Sequence, residues 1–316
     1  MMPELPEVET IRKSLQSAIV GKTIKDIEVR KAKIFKGNPK EIIGEKIEGI
    51  ERKGKVLIIK LSSNKSLLVH FKLTGQMVWV GDRDRVRPAR QQPEPARFAL
   101  RSKTGGPQAM AGGDRAILEH PIPFAGTELP AKTTHVIFTI NGGKLFYNDL
   151  RQFGWIKIIS DLSNLSNLSD LGKLGPEPFD KEFTAEYLRQ IFSKISKPIK
   201  LVLMDQEKIA GIGNIYANEA LFEAGIGPAK PAKQLGNEAI EKLRGAIIKV
   251  LEEGLKYGGS SAKDESYIKP TGEPGEYQKH FRVYQRDGEK CIKCGGVIKR
   301  IELGGRGTFF CERCQK

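Results

Sequence analysis

All four cysteines of the chain lie in its last 26 residues, spaced Cys291-x2-Cys294-x16-Cys311-x2-Cys314. Two CxxC knuckles at this separation suit a tetrahedral Zn2+ held by four thiolates. The clustering does not suit a disulfide framework, whose cysteines would be spread through a small secreted chain. Four protein ligands leave no open coordination position, so the expected single Zn2+ is structural and does no catalysis. The tail is too short to enclose a core alone, and metal binding supplies most of its folding energy. Lys299, Arg300 and Arg306 lie between the knuckles, and Arg313 lies inside the second. Gly304-Gly305-Arg306-Gly307 reads as a hairpin tip that can set Arg306 against a phosphate.

The remaining 290 residues are long enough for two further small domains, each with its own core. The net charge is +15 and the pI about 9.5. That excess points to a polyanion partner, most simply nucleic acid, ahead of mere solubility. No apolar run is long enough to span a membrane, so no membrane association is expected. The first residues carry Glu4, Glu7 and Glu9 with no apolar stretch behind them, which is not the pattern of a signal peptide. The cytoplasm is the default location.

The elements read as α+β. Pro6 suits the N1 position of a first helix, with Glu7 and Glu9 at the positive end of its dipole and Val8, Ile11 and Leu15 on one face. Strand patterns follow from Lys22. Val56 to Leu61 and Ser66 to Phe71 flank a turn and predict a hairpin, and residues 135–140, 144–147 and 155–159 predict further strands. One helix followed by many antiparallel strands predicts a β-sandwich or barrel-like domain over 1–160. Residues 82–118 are anomalous: they hold seven of the 18 arginines but one of the 35 lysines, with no apolar period. We read them as an atypical insertion or a locally frame-shifted stretch, looped or disordered, in preference to a basic arm on DNA. Residues 161–172 read as a polar linker. Helical patterns at 183–192 and 239–255 flank a glycine-punctuated apolar segment, so 173–268 is a helical domain closed by a flexible Gly258-Gly259-Ser260-Ser261 loop. Residues 269–316 form the metal-stapled module.

Four further features carry chemistry. Pro3 would present a secondary amine if it were N-terminal. Such an amine attacks an aldehyde-like sugar carbon and forms an iminium without an external base, and Glu4 beside it could move the protons. This chemistry requires that Met1 and Met2 be absent, and we expect translation to start at Met2 and that residue to be removed. Gly211-Ile212-Gly213-Asn214 precedes a helix, an arrangement that brings backbone close to a phosphate and adds the Asn214 donor. Packing is the plainer reading of that junction taken alone. Lys53-Gly54-Lys55 precedes a strand, and alone it reads as a solvated basic turn. Arg151-Gln152-Phe153 lies in a turn, where an Arg and a Phe can wedge into a duplex or the Phe can simply enter the core. The residues leave both open.

Taken together, the chain resembles the formamidopyrimidine-DNA glycosylase family. The anchors are PELPEVET at Pro3–Thr10, RKGKVL at Arg52–Leu57, HFKLTG at His70–Gly75 and NDLRQFG at Asn148–Gly154. Further anchors are the run from Met204 to Pro228 and the four-cysteine finger with GGRGTFFC. They span nearly the whole chain outside 82–118. The resemblance implies an N-terminal helix with an antiparallel β-sandwich, a helix-two-turn-helix domain and a C-terminal zinc finger. It implies a monomeric base-excision enzyme of the bacterial cytoplasm and nucleoid, acting on damaged double-stranded DNA. The implied enzyme is a bifunctional glycosylase and abasic-site lyase for oxidised purines such as 8-oxoguanine and formamidopyrimidines.

In the implied mechanism the nucleotide is flipped out. The free amine of Pro3 attacks C1′ to give a Schiff base, with Glu4 as proton donor, and β,δ-elimination follows. Lys55 corresponds to a proton donor and phosphate contact. Asn214 and Arg306 correspond to further phosphate contacts, and Glu7 to a carboxylate near the sugar. Leu73, Arg151 and Phe153 correspond to the residues that fill the gap in the duplex, and Gly258 to about Tyr267 corresponds to the segment covering the flipped base. Three positions depart from the family pattern: Leu73 where Met is common, Gln152 where a second basic residue is common, and Leu150 where Pro is common. An endonuclease VIII-like enzyme for oxidised pyrimidines and a non-catalytic zinc-finger DNA-binding paralogue are the alternatives. PELPE in place of PEGPE favours the purine branch.

Overall fold

The computed structural model describes residues 2–82, 116–160, 173–261 and 267–316. The expectations for 83–115, for the linker 161–172 and for 262–266 lie outside these residues. The first helix, α1, spans Leu5–Ile19. It starts one residue earlier than the sequence predicted, with Glu4 as N-cap and Pro6 in the second helical position, where its missing N–H is still harmless. The Glu4 N–H donates to Glu7 Oε2 at 2.8 Å, closing the first turn.

The strands β1 (Ile24–Val29), β9 (Thr134–Ile140), β10 (Gly143–Asp149) and β6 (Gly75–Gly81) form one antiparallel sheet in that order. A second sheet has the order β2 (Phe35–Lys36), β11 (Trp155–Ile159), β5 (Ser66–His70), β4 (Val56–Leu61) and β3 (Ile47–Lys53). It is antiparallel except for the β2–β11 pair, which is parallel. Inward residues of both sheets, among them Leu57, Val69, Met77, Phe138 and Tyr147, pack into one core with Val8, Ile11, Leu15 and Ile19 of α1. The expected sandwich therefore shares its core with α1. One correction falls at the edge of the insertion. Residues 116–118, expected to be irregular, belong to β7 (Ala116–Ile122), which pairs with β8 (Gly126–Leu129). Ile122 and Leu129 pack with Val78, Val80, Ile137 and Phe146 on the outer face of the first sheet, and that burial orders the hairpin.

The helical part comprises α2 (Ala185–Phe192), α3 (Ile199–Leu203), α4 (Asn214–Ala224) and α5 (Asn237–Lys256). Thr184 caps α2 by accepting the Tyr187 N–H, and Gly225 ends α4 at φ 72°. The helices share a core with Leu5, the first residue of α1, so α1 enters both cores. The finger hairpin, β12 (Lys299–Leu303) and β13 (Arg306–Phe310), has no separate core. Ile298, Phe309, Cys291 and Cys311 pack with Tyr284 and the helices. No helix of the described residues is long and apolar enough to cross a membrane.

Candidate active site and nucleic-acid interface

Helix α4 begins where α1 begins, and Glu4 joins them. The Glu4 carboxylate is buried and accepts N–H donors from Gly213 (2.6 Å) and Ile215 (2.8 Å), with Tyr216 N at 3.4 Å. These are N–H groups a helix start leaves unsatisfied, at the positive end of its dipole. The Gly-rich junction could bring backbone close to a phosphate, with packing the plainer reading of it alone. Its backbone anion is instead the protein's own carboxylate. The glycines follow from this. A Cβ on Gly213 would lie 2.5 Å from the Glu4 carboxyl carbon, and Gly211, at φ 93°, would meet Leu5 at 2.7 Å. The Leu5 N–H donates to the Gly211 carbonyl at 3.0 Å, completing the joint.

Burial raises the Glu4 pKa to about 7, against the lowering effect of the nearby Lys55 ammonium. Lys55 is only 5% exposed. It does not sit in a solvated turn, as the lysine pair alone would read. Its Nζ donates to the Ile212 carbonyl at 2.8 Å, and burial lowers its pKa to about 8. The β3–β4 turn that presents it is fixed by Glu177, which accepts the Gly54 N–H and pairs with Arg52, both at 2.7 Å. Glu7 is also buried. Its carboxylate accepts the Tyr216 hydroxyl (2.9 Å) and the Ser260 N–H (2.8 Å) besides the Glu4 N–H, and burial raises its pKa. Pro3 is buried immediately before this cluster, and Met2 lines a cavity of about 280 Å3 with Lys55, His70, Lys72, Lys173 and Gln206. Pro3, Glu4, Glu7 and Lys55 thus meet at one place.

Asn214 is the first residue of α4. Its Nδ2 donates to the Gly307 carbonyl at 3.2 Å, beside Arg306, whose side chain is exposed at the hairpin tip. The left-handed glycines 304 and 305 make that tip. Leu73 lies half-buried in the turn after β5, and Arg151 and Phe153 are exposed in the turn after β10, Phe153 at 59%. The open choice at Phe153 is settled against a core aromatic. One expectation about flexibility is corrected. Ser260 and Ser261 are buried, with both N–H groups bonded, to Glu7 and to Gln278.

Sequence reasoning missed two site residues. Lys200 is fully buried and donates to the Gly307 carbonyl (2.8 Å) and the Thr308 hydroxyl (2.7 Å), and burial lowers its pKa to about 7. Its signal was available: a lone lysine in the apolar run Ile199-Lys200-Leu201-Val202-Leu203. His70 borders the cavity, and its Nδ1 accepts the Lys72 N–H at 3.0 Å. Burial, and then the charges of Lys72 and Lys55, lower its pKa to about 3, so the ring is neutral with Nε2–H as its donor.

The four cysteine sulfurs lie within 4.8 Å of one another, with Cys291–Cys314 at 3.8 Å and Cys294–Cys311 at 3.5 Å. Four ligands at about 2.3 Å in a tetrahedron place sulfurs about 3.8 Å apart. The Lys293 and Gly296 N–H groups point to Cys291 and Cys294 Sγ, each at 3.4 Å. The set fits one structural zinc.

Comparison with known proteins agrees with this layout. Residues 2–156 match the model of the formamidopyrimidine-DNA glycosylase N-terminal domain. Residues 174–266 match that of its H2TH domain, and 288–316 match the zinc finger found in FPG and IleRS. The formamidopyrimidine-DNA glycosylase of Desulfitobacterium hafniense is 37% identical, with 99% of this chain and 100% of that protein covered. That of Carboxydothermus hydrogenoformans is 35% identical, with both fully covered. Among solved structures, the MutM (FPG) protein of Thermus thermophilus aligns with a TM-score of 0.78 at 30% identity over 99% of this chain and 98% of that one. Lactococcus lactis Fpg in complex with abasic-site DNA gives 0.78 at 32% identity over 99% of each. With a buried carboxylic acid at the helix joint, a basic cavity beside it and a four-cysteine finger, the chain belongs to the formamidopyrimidine-DNA glycosylase family of DNA-repair enzymes.

Proposed function

We propose that this enzyme is a bifunctional glycosylase and abasic-site lyase that removes oxidised purines, 8-oxoguanine and formamidopyrimidines, from duplex DNA. The observation that carries the reading is Glu4, a buried carboxyl held by the start of α4 with its pKa near neutrality. A group so placed is protonated often enough at neutral pH to act as a general acid. In the reading, loss of Met1 and Met2 frees the Pro3 nitrogen, and loss of Met2 opens the cavity beside Lys55. The amine attacks C1′ of the flipped nucleotide and the damaged base departs with a proton from Glu4. The C1′–O4′ bond of the sugar ring then opens, O4′ taking up the proton that the proline nitrogen gives up, and the iminium so formed acidifies the C2′ hydrogens, so that successive β- and δ-eliminations cut the strand on both sides.

Lys55 serves as phosphate contact and proton donor, its ammonium passing from the Ile212 carbonyl to the DNA. Glu7, bonded to the Glu4 N–H and to Ser260, orients the acid and faces the sugar. Asn214 and Arg306 grip phosphates, and Leu73, Arg151 and Phe153 fill the vacated space in the duplex. The zinc holds the finger hairpin, and so the Arg306 tip, and takes no part in the chemistry. The protein works as a monomer on the bacterial nucleoid.

The test is borohydride trapping on lesion-containing duplexes. A covalent adduct with 8-oxoguanine opposite cytosine is expected. Adduct with thymine glycol alone would place the enzyme with the oxidised-pyrimidine group, and binding with neither adduct nor nicking would overturn the catalytic reading.

A further inference from the structure

The two turns that carry Leu73 and Arg151–Phe153 meet over a single buried carboxylate. Asp149, the last residue of β10, is 0% exposed. Its Oδ1 accepts the Thr74 hydroxyl, and its Oδ2 accepts the Gly154 N–H at 2.8 Å. The Thr74 hydroxyl in turn accepts the Arg151 N–H at 2.9 Å. One hydroxyl thus links the turn 71–74 to the turn 150–154, and one carboxylate spans the base of both. Each turn holds a non-glycine residue in the left-handed region, Lys72 at φ 50° and Gln152 at φ 56°. Hydrogen bonds to side chains fix both shapes: Lys72 through His70 Nδ1, and the second turn through Asp149 and the Thr74 hydroxyl.

Two more observations describe this base. No ion pair holds Asp149 among the described residues, and its two oxygens are held by the Thr74 hydroxyl and the Gly154 N–H. The Tyr147 hydroxyl, also buried, has no hydrogen-bond partner and lies against both turns: a Cβ on Gly75 or Gly154 would meet it at 2.8 or 1.9 Å. Outside this base, Leu150, Arg151 and Phe153 stand exposed.

We propose that Asp149 and Thr74 are positioning residues that make the two turns enter the duplex as one unit, so that Leu73 and Phe153 fill the gap cooperatively. The proposal rests on the gap-filling reading of Leu73, Arg151 and Phe153 given above. A merely structural polar cluster would lower stability and affinity when disturbed but would not decide whether the two apolar side chains depend on each other.

A double-mutant cycle separates these cases. The full chain is titrated against a duplex carrying a stable tetrahydrofuran abasic analogue opposite 2-aminopurine, at one salt concentration, reading affinity and 2-aminopurine fluorescence. Leu73→Ala and Phe153→Ala are each expected to weaken binding about tenfold, and the double variant to lose about fivefold less than their product. In a Thr74→Val background, which keeps the shape and removes the hydroxyl, the two losses should multiply. Thr74→Ser should restore the coupling, and Asp149→Asn is the second variant should Thr74→Val fail to fold. Undiminished coupling in Thr74→Val, or no coupling in the native background, overturns the proposal. If neither Leu73→Ala nor Phe153→Ala changes binding, the gap-filling reading itself fails and takes this inference with it.

Discussion

At the scale of single residues the site turns on how Glu4 is held. Its acid form persists to about pH 7 because burial disfavours the charge. Base excision should therefore fall as pH rises through about 7, where the acid ionises. Glu4→Gln should lose most excision and lose that pH limb as well. A single-turnover pH profile checks this, and an unchanged limb in the variant would assign it to another group. The sign for stability is the same. A carboxyl whose folded pKa is raised contributes stability that is full below its ordinary pKa of 4.5 and fades as pH rises through about 7. Gly213→Ala should expel the Glu4 carboxyl, since the added methyl meets it at 2.5 Å. Excision should drop at least tenfold with a stability cost of about 1–3 kcal/mol, readable by thermal melting. At the DNA face, Lys55→Met and Arg306→Ala should each lower the slope of log affinity against log salt by about 1, measured by titration at several salt concentrations. An unchanged slope would remove that residue from the phosphate contacts.

At the scale of elements, helix α4 organises the molecule. Its first turn holds Glu4. Asn214 and Asn218 bind the finger hairpin through the Gly307 carbonyl and the Phe309 N–H. Glu219, buried, accepts the N–H groups of Arg282, Val283 and Tyr284. At the other end Gly225 and Gly227 exchange backbone bonds with Lys316. Glu219→Gln should cost about 3 kcal/mol, because one oxygen that receives N–H donors becomes a donor itself, and the melting temperature should fall accordingly. Much of this level was legible. The β4 and β5 hairpin, β9 to β11, α2 and α5 appear within a residue or two of their apolar periods, because one face of each is buried. What was not legible came from contacts distant in sequence. Nothing near Asn214 announces that Glu4, more than 200 residues away, would occupy the backbone donors that could face a phosphate. Nothing near Lys53-Gly54-Lys55 announces that Ile212 would bury Lys55. Residues 116–118 looked irregular because the apolar partners that order β7 sit on the outer face of β6, β9 and β10.

At the scale of the whole molecule, the finger, the helices and the sandwich act on one site through shared contacts. Removing the zinc should loosen the hairpin that supplies Gly307 and Thr308 to Lys200, leaving a buried ammonium without acceptors. A chelator should therefore depress duplex affinity and helical-domain stability together, followed by binding titration and melting on the same sample. Loss of affinity with unchanged melting would confine the finger's effect to Arg306. The central claim, however, is that a proline amine does the chemistry with Glu4 beside it. The most direct measurement is mass spectrometry of the borohydride-trapped adduct with an 8-oxoguanine duplex after proteolysis. The account predicts the sugar remnant on an N-terminal peptide that begins at Pro3, with Met1 and Met2 absent. A remnant on Lys55 or another lysine, or a trapped chain that still carries Met2, would contradict it.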